Sequence, residues 1–155
     1  MSSEPNDESP PNADPYDLER FVRAQAPDYA RALSELRSGR KRSHWMWYIF
    51  PQFRGLGSSA VSQRYAIGSV HEAQAFLRHP VLGPRLRECV AAILAIPDRS
   101  ATEILGTPDD LKLRSSATLF AHVSPPRSEF ETVLKRYWQG ESDQATLRLL
   151  REPVS

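Results

Sequence analysis

The sequence predicts an all-α protein, a compact single-domain array of seven or eight short helices. Three observations predict it: helix-capping residues recur along the chain, apolar residues between them follow the helical period, and no Asn-Gly or Asp-Gly turn joins two alternating runs. The length of 155 residues and the mass of 17.5 kDa suit one domain whose core needs neither a disulfide nor a metal. We expect this domain to span residues 15–151.

Two helices are predicted at the start of the domain. Asp17 can cap a short helix that carries Leu18 and Phe21. Pro27 suits the first turn of a second helix, and Gly39 is placed to end that helix in the left-handed conformation.

The aromatic run from Trp45 to Phe53 is the one candidate strand. Because a lone strand would have no partner, we predict instead a short helix from about Arg42 to Ile49. The helix is expected to end there since the next residue precedes Pro51, and a residue before proline disfavours the helical conformation.

Further helices are predicted in the second half of the chain. Capping boxes of the form Ser-x-x-Glu begin three of them, at Ser69, Ser100 and Ser128. Pro80 is expected to open a longer apolar helix, and a last helix is predicted from about Asp143.

One more helix, over residues 108–122, has Thr107 as its predicted cap and apolar residues on both sides, which predicts that other helices surround it. Ser115, Thr118 and His122 are then expected to face inward. The two hydroxyls either bond the carbonyls four residues earlier or line a polar cavity, and the imidazole would meet a backbone group near the helix end.

Residues 1–14 form an acidic, Pro-rich tail without aromatic or branched aliphatic residues, and we expect it to be disordered. The tail has the character of neither a signal peptide nor a transit peptide. The sequence contains no run of about 18 apolar residues, so no membrane span is predicted. The single cysteine, Cys89, allows no internal disulfide and is expected in the core, so a cytoplasmic location is predicted.

The charge is unevenly distributed. The tail holds four of the 19 acidic residues, so the other 15 face all 20 basic residues and the domain carries a mild positive excess. This positive charge suits a small anionic ligand. Because the excess is smaller than that of a typical DNA-binding domain, a nucleic acid is a less favoured partner, although it is not excluded. The four histidines are not spaced three or four residues apart, so no metal site and no cofactor are expected.

Two stretches hold most of the chemically distinctive side chains. In the first stretch, residues 40–47, cationic side chains that can bind phosphate are interleaved with tryptophans that can stack on a ring. The second stretch, residues 109–115, begins with an acidic helical turn and continues with two cationic side chains and a serine. The candidate ligand-binding residues are Arg40, Lys41, Arg42, His44, Trp45, Trp47, Arg54, Asp110, Lys112, Arg114 and Ser115. They form one pocket only if the two stretches meet. Alternatively, the cations favour a helix C-terminus and the tryptophans belong to the core.

Asp109 and Asp110 are a candidate acid–base pair, because neighbouring carboxylates can separate their pKa values. Their position in the first turn of a helix favours a structural role instead, and Asp110 stands four residues before Arg114, the spacing of a helical ion pair. The sequence identifies no catalytic residue, and whether the protein is an enzyme is left open.

Three runs of sequence are distinctive: GRKRSHWMWYIFPQ from Gly39, HPVLGPRL from His79 and PDDLKLRSS from Pro108. On these runs the chain resembles a family of small, mostly bacterial proteins of unknown function, typified by an all-helical conserved hypothetical protein from mycobacteria. Some members of that family are mislabelled calpastatin. The resemblance covers about residues 15–150 and implies an all-helical fold, but it implies no established reaction.

Two functions are carried forward. The favoured one is binding, and if the protein is an enzyme also processing, of a small phosphate-bearing, nucleotide-like ligand. The alternative is a module that interacts with protein or nucleic acid through a basic surface patch, without catalysis. Buried tryptophans beside solvated cations would indicate the patch, whereas aromatic walls around a hollow would indicate the ligand. The sequence does not determine the oligomeric state.

Overall fold

Ten helices follow one another in the computed structural model, which describes residues 13–152. They are α1 (Glu19–Gln25), α2 (Tyr29–Arg37), α3 (Met46–Ile49), α4 (Ala60–Arg64), α5 (Val70–Arg78), α6 (Leu82–Leu94), α7 (Ala101–Leu105), α8 (Asp109–His122), α9 (Glu129–Trp138) and α10 (Gln144–Arg151). The one β-type pairing in this part of the chain is an isolated bridge between Phe53 and Ile67. The all-α class is confirmed, and the predicted number of seven or eight helices is too low.

The predicted tail lies outside the described residues except for Ala13 and Asp14. Asp14 caps α1, because its carboxylate accepts hydrogen bonds from the backbone N–H groups of Leu18 (2.9 Å) and Glu19 (2.8 Å). Asp17, the predicted cap, instead adopts a left-handed conformation with φ of +51°. The prediction for this cap is therefore wrong. Across residues 13–152, no helix is long and apolar enough to cross a membrane.

Helix α4 has no counterpart among the predicted helices. Its five residues bury no side chain, so the sequence shows no apolar period there. The helix begins at a polar cap, where the Ser59 hydroxyl accepts a hydrogen bond from the Ser62 N–H at 3.1 Å.

Several predicted helix ends are confirmed by their backbone geometry. Ser100 and Glu103 form a reciprocal capping box at the start of α7. Gly39 follows α2 with φ of +83°, as predicted, and Gly106 likewise follows α7 with a positive φ of +78°. The start of α6 is different, because His79 Nδ1 accepts hydrogen bonds from the N–H groups of the next two non-proline residues at 3.1 and 3.2 Å.

Helix α8 lies at the centre of the domain and packs against α5, α7, α9 and α10, as its two apolar sides predict. A row of buried rings crosses the core from α1 to α9. The ring centroids are 5.1 Å apart for Phe21 and Phe76, 5.4 Å for Phe76 and Phe120, and 5.7 Å for Phe120 and Phe130. These aromatic contacts connect four helices that are distant in sequence.

A buried ion pair holds the loop after α4 against α1 and α5. The Arg20 guanidinium donates to the carbonyls of Arg64 and Ala66, both at 2.8 Å, and to Glu72 Oε2 at 2.7 Å. The other carboxylate oxygen of Glu72 accepts the Gly68 N–H. Glu72 therefore connects three segments rather than completing the capping box predicted at Ser69, although that serine does cap the helix.

Candidate functional site

The segment after α2 is organised by a buried carboxylate on that helix. Glu35 accepts hydrogen bonds from the N–H groups of Arg42 (2.8 Å) and Ser43 (3.0 Å), from the Ser43 hydroxyl (2.6 Å) and from Trp45 Nε1 (2.9 Å). These four bonds fold residues 42–45 around the carboxylate, and Trp45 precedes the helix in a non-helical conformation with φ of −139° and ψ of 5°. This is why α3 begins only at Met46, while its end before Pro51 is as predicted.

Glu35 is a charged residue at neutral pH. Burial by itself would raise the pKa of this carboxyl, but the hydrogen bonds from Ser43, Arg42 and Trp45 favour the ionised form and lower its pKa to about 2. Sequence reasoning missed this residue. The available signal is an acid among apolar residues on the buried side of a helix, next to Leu36 and close to Ala32.

Side chains alternate in direction along the segment that Glu35 holds. Arg40, Arg42 and His44 are exposed, whereas the residues between and after them point inward. We call these three residues the cationic row. Among residues 13–152, neither arginine of the row has an ion-pair partner or a side-chain hydrogen bond.

The inward residues make specific contacts with the interior. Lys41 Nζ lies 2.9 Å from Asp109 Oδ2, and the Lys41 side chain is only 8% exposed. Trp45 is 0% exposed, with its indole N–H on Glu35, so it offers no face to a ligand. Trp47 is half-buried and is the tryptophan of this segment that keeps some exposed surface.

The two stretches singled out in the sequence do meet, and Asp109 joins them. Besides Lys41, its carboxylate lies 3.6 Å from Lys112 Nζ, which in turn lies 5.3 Å from the centre of the Trp47 ring. The Lys41 N–H also donates to the Ile104 carbonyl at 2.7 Å. The contact is thus a half-buried network of one carboxylate and two ammonium groups.

Asp110 is buried and its carboxylate is occupied. It accepts hydrogen bonds from the Thr102 hydroxyl at 2.6 Å and from the Thr107 hydroxyl at 3.2 Å. Thr107 therefore binds this side chain instead of capping the helix as predicted. The predicted pair between Asp110 and Arg114 is absent, because Arg114 Nη2 lies 3.4 Å from Glu141 Oε1 and its Nε donates to the Glu141 carbonyl. A structural role for Asp110 accounts for all these contacts.

The polar residues of α8 mostly bond within the helix and to the next one. The hydroxyls of Ser115 and Thr118 donate to carbonyls four residues earlier, which is the first of the two alternatives that the sequence left open. Both also contact Asp143 at the start of α10. The Ser115 hydroxyl shares its one proton between the Leu111 carbonyl and Asp143 Oδ2, each 3.2 Å away. The Asp143 N–H donates to Thr118 Oγ1 at 2.9 Å. His122 is exposed, so the prediction that it faces inward is wrong.

A hollow of about 250 Å³ lies where the loop after α3 meets the starts of α8 and α10. Of the candidate residues, Lys112 and Ser115 line it, together with Gln52 and Asp143. The cationic row does not line it, and neither does Arg54, which is exposed and donates from Nε to the Gly68 carbonyl at 2.9 Å.

Cys89 is fully buried in α6, as predicted. Burial raises the pKa of its thiol to about 12, so the thiolate is scarce at neutral pH. Within residues 13–152, no three His, Cys, Asp or Glu side chains cluster as they would around a metal ion.

The similarity of the chain to known proteins agrees with its fold. A family model described as "Protein of unknown function (DUF1810)" matches residues 15–150. The crystal structure of the conserved hypothetical protein Rv1873 from Mycobacterium tuberculosis is similar to the chain, with 53% sequence identity and a TM-score of 0.88. The alignment covers 90% of this chain and 100% of that one. No curated protein matches the chain. The resemblance inferred from the three sequence runs is confirmed.

Proposed function

Because the chain belongs to the DUF1810 family of proteins of unknown function, we propose its function from its own geometry: it is an interaction module that binds an acidic segment of another protein. One observation carries the proposal. The cationic row of Arg40, Arg42 and His44 is exposed on a segment whose intervening residues are fixed to the interior.

The fixed backbone lowers the entropic cost of binding. Glu35 binds the N–H groups of Arg42 and Ser43, and Asp109 holds Lys41, so the segment does not need to be ordered by its partner. The two arginines are two residues apart, which places their Cα atoms at most about 7 Å from each other. An extended peptide repeats its side chains on one face at the same interval of about 7 Å. Acidic residues at alternate positions can therefore meet both guanidinium groups, each through a two-point hydrogen bond.

The aromatic residues favour a protein partner over a nucleic acid. Single-stranded nucleic acids are bound by cations together with exposed rings on which bases stack. Trp45 is fully buried, and Trp47 is half-buried beside Lys112, so the row presents cations without a free stacking face.

Fluorescence anisotropy with a labelled peptide that has glutamate at every second position tests the proposal. We expect saturable binding that weakens with salt. The R40Q/R42Q variant should bind about tenfold more weakly, since exposed charge pairs contribute up to about 1 kcal/mol each and tenfold is about 1.4 kcal/mol. The R78Q/R148Q variant removes two exposed arginines elsewhere and is the matched control.

Equal affinities of wild type, R40Q/R42Q and R78Q/R148Q would contradict the proposal, as would absence of saturable binding at low salt. A single-stranded oligonucleotide that binds more tightly than the peptide, with the same dependence on Arg40 and Arg42, would assign the row to nucleic acid instead.

A second candidate function is the binding of a small phosphate-bearing ligand in the 250 Å³ hollow. The observation that favours it is that Lys112, Ser115 and Gln52 line this hollow, with the Trp47 ring next to Lys112. Against this candidate, Lys112 is the one cation among the described residues that line the hollow, and the nearby Asp143 carboxylate repels a phosphate. Ribose 5-phosphate should raise the melting temperature of the wild type and not that of K112Q. An equal rise in both proteins, or none in either, excludes this site.

A further inference from the structure

A larger open hollow, of about 620 Å³, lies between the end of α6, the loop that follows it and α9. Ile96 and Pro97 contribute apolar surface to it, and Tyr137 contributes a half-buried ring. Two arginines, Arg99 and Arg136, also line it. A volume of this size lies within the range of small-molecule sites, roughly 300–1,000 Å³.

Arg99 is held in place by backbone carbonyls. Its Nε donates to the carbonyl of Gly39 at 3.1 Å, and its Nη2 donates to the carbonyl of Glu103 at 3.2 Å. A Cβ at position 39 would meet Arg99 Cδ at 3.4 Å, an ordinary van der Waals distance, so the Arg99 side chain packs directly against this part of the backbone.

Arg136 is held in the same way from the other side of the hollow. Its Nη1 donates to the carbonyls of Leu94 at 3.0 Å and Ile96 at 3.5 Å. Its guanidinium carbon lies 6.0 Å from the centre of the Tyr137 ring.

Neither arginine therefore makes a direct ion pair within the described part of the chain, although the Glu103 carboxylate attracts Arg99 from a longer distance. Carbonyl groups orient a guanidinium without neutralising it, and neither arginine is paired with a carboxylate among residues 13–152. A guanidinium has five N–H donors, and the contacts above leave some of them free on each arginine. Because both side chains are already ordered, a ligand gains their bonds at a low entropic cost.

We propose that this hollow binds a phosphate monoester carried on an organic group of up to nucleotide size. Arginine matches phosphate oxygens through two parallel hydrogen bonds, so the two guanidinium groups would hold the phosphate. The organic group would lie against the Tyr137 ring, Ile96 and Pro97. The site is separate from the cationic row and from the hollow beside Lys112.

The charge of Asp98 provides a second test, because its removal should change the affinity for an anionic ligand in a defined direction. Asp98 lines the same hollow and makes no ion pair with either arginine. Its negative charge opposes an anionic ligand, so removing that charge should tighten binding. Glu103, the other nearby acid, accepts the Ser100 N–H at 2.7 Å and stays charged, so it also opposes an anion and partly offsets the charge of Arg99.

Isothermal titration of the full chain with AMP, inorganic phosphate and adenosine tests the proposal. AMP should bind most tightly, phosphate more weakly, and adenosine more weakly than AMP by at least about tenfold. R99Q and R136Q should each weaken AMP binding about tenfold or more, and D98N should strengthen it severalfold. Thermal melting of each variant checks that it is folded, and R78Q is the matched control for an exposed arginine.

Absence of saturable AMP binding at millimolar concentration would overturn the proposal, as would equal AMP affinities in the wild type, R99Q and R136Q. Unchanged or weaker binding by D98N would also contradict it. The R40Q/R42Q and K112Q variants should keep AMP affinity within about twofold, which separates this site from the two proposed above.

Discussion

Lys41 Nζ lies 2.9 Å from Asp109 Oδ2 and joins the segment after α2 to the start of α8, across 68 residues of sequence. The lysine side chain is 8% exposed and the aspartate side chain 19%. This ion pair brings the two distinctive stretches of the sequence into contact and helps to fix the backbone from which the cationic row projects.

Breaking this pair from one side should destabilise the domain. D109N leaves a buried ammonium group without its carboxylate, and K41M leaves the carboxylate to Lys112 alone, so each should lower the free energy of unfolding by about 2 kcal/mol. In a double-mutant cycle, the coupling energy of Lys41 and Asp109 should exceed about 1 kcal/mol. The coupling of Lys112 and Asp109, which are 3.6 Å apart, should be smaller and serves as the control. Additive effects of K41M and D109N would show that the pair does not couple the two segments.

Glu35 should make the stability of the domain depend on pH in the acid range. Burial opposes its charge, but its hydrogen bonds lower its pKa to about 2, below the ordinary value of 4.5. The stabilisation is complete above the unfolded-state pKa and is lost as the pH falls from about 4.5 through about 2, with a magnitude on the order of 3 kcal/mol. E35Q lacks this titration, so its stability deficit relative to the wild type should shrink across that window. A deficit that stays constant between pH 6 and pH 3 in urea denaturation would contradict the assignment.

Gly83 marks a close approach between α5 and α6. A Cβ at this position would lie 2.1 Å from the carbonyl oxygen of Leu77, which is backbone and cannot rotate away. Gly83→Ala should therefore force the two helices apart and lower the free energy of unfolding by about 2 kcal/mol or more. Arg87→Ala, at an exposed position on α6, should change it by less than about 1 kcal/mol. Similar denaturation midpoints for the two variants would contradict this packing.

Cys89 should be unreactive in the folded protein. Burial in α6 raises the pKa of its thiol to about 12 and blocks access to it. A chromogenic disulfide reagent at pH 8 should react with the thiol only as fast as the protein unfolds, and rapidly in denaturant. Fast reaction of the native protein would place this side chain outside the core.

The elements that the sequence predicts correctly have local signals, although two local signals fail, because Asp17 and Thr107 do not cap their helices. The capping box from Ser100 to Glu103, the left-handed glycine at position 39 and the helix end before Pro51 each involve residues within four positions of one another. Helix α4 was missed because it buries no side chain, and an apolar period is what marks a helix in a sequence.

The candidate site was harder to predict, because its contacts are made across the fold. The sequence leaves open whether the two stretches meet. It offers Asp109, the residue that joins them, as an acid–base candidate or a structural residue of the first helical turn, and not as the partner of Lys41. Trp45 points inward because its indole N–H donates to the Glu35 carboxylate. That hydrogen bond depends on how α2 packs against the following segment, which the sequence does not show. Arg114 binds Glu141 rather than its neighbour Asp110, because two threonine hydroxyls already occupy that aspartate.

The most direct test of the account is to map peptide contacts by NMR, using the isotope-labelled chain titrated with the alternating glutamate peptide. Amide shift changes should concentrate at residues 39–45 and saturate together, with smaller changes at the start of α8, which Lys41 and Asp109 connect to that segment. Shift changes centred on another face, or none at residues 39–45, would contradict the account.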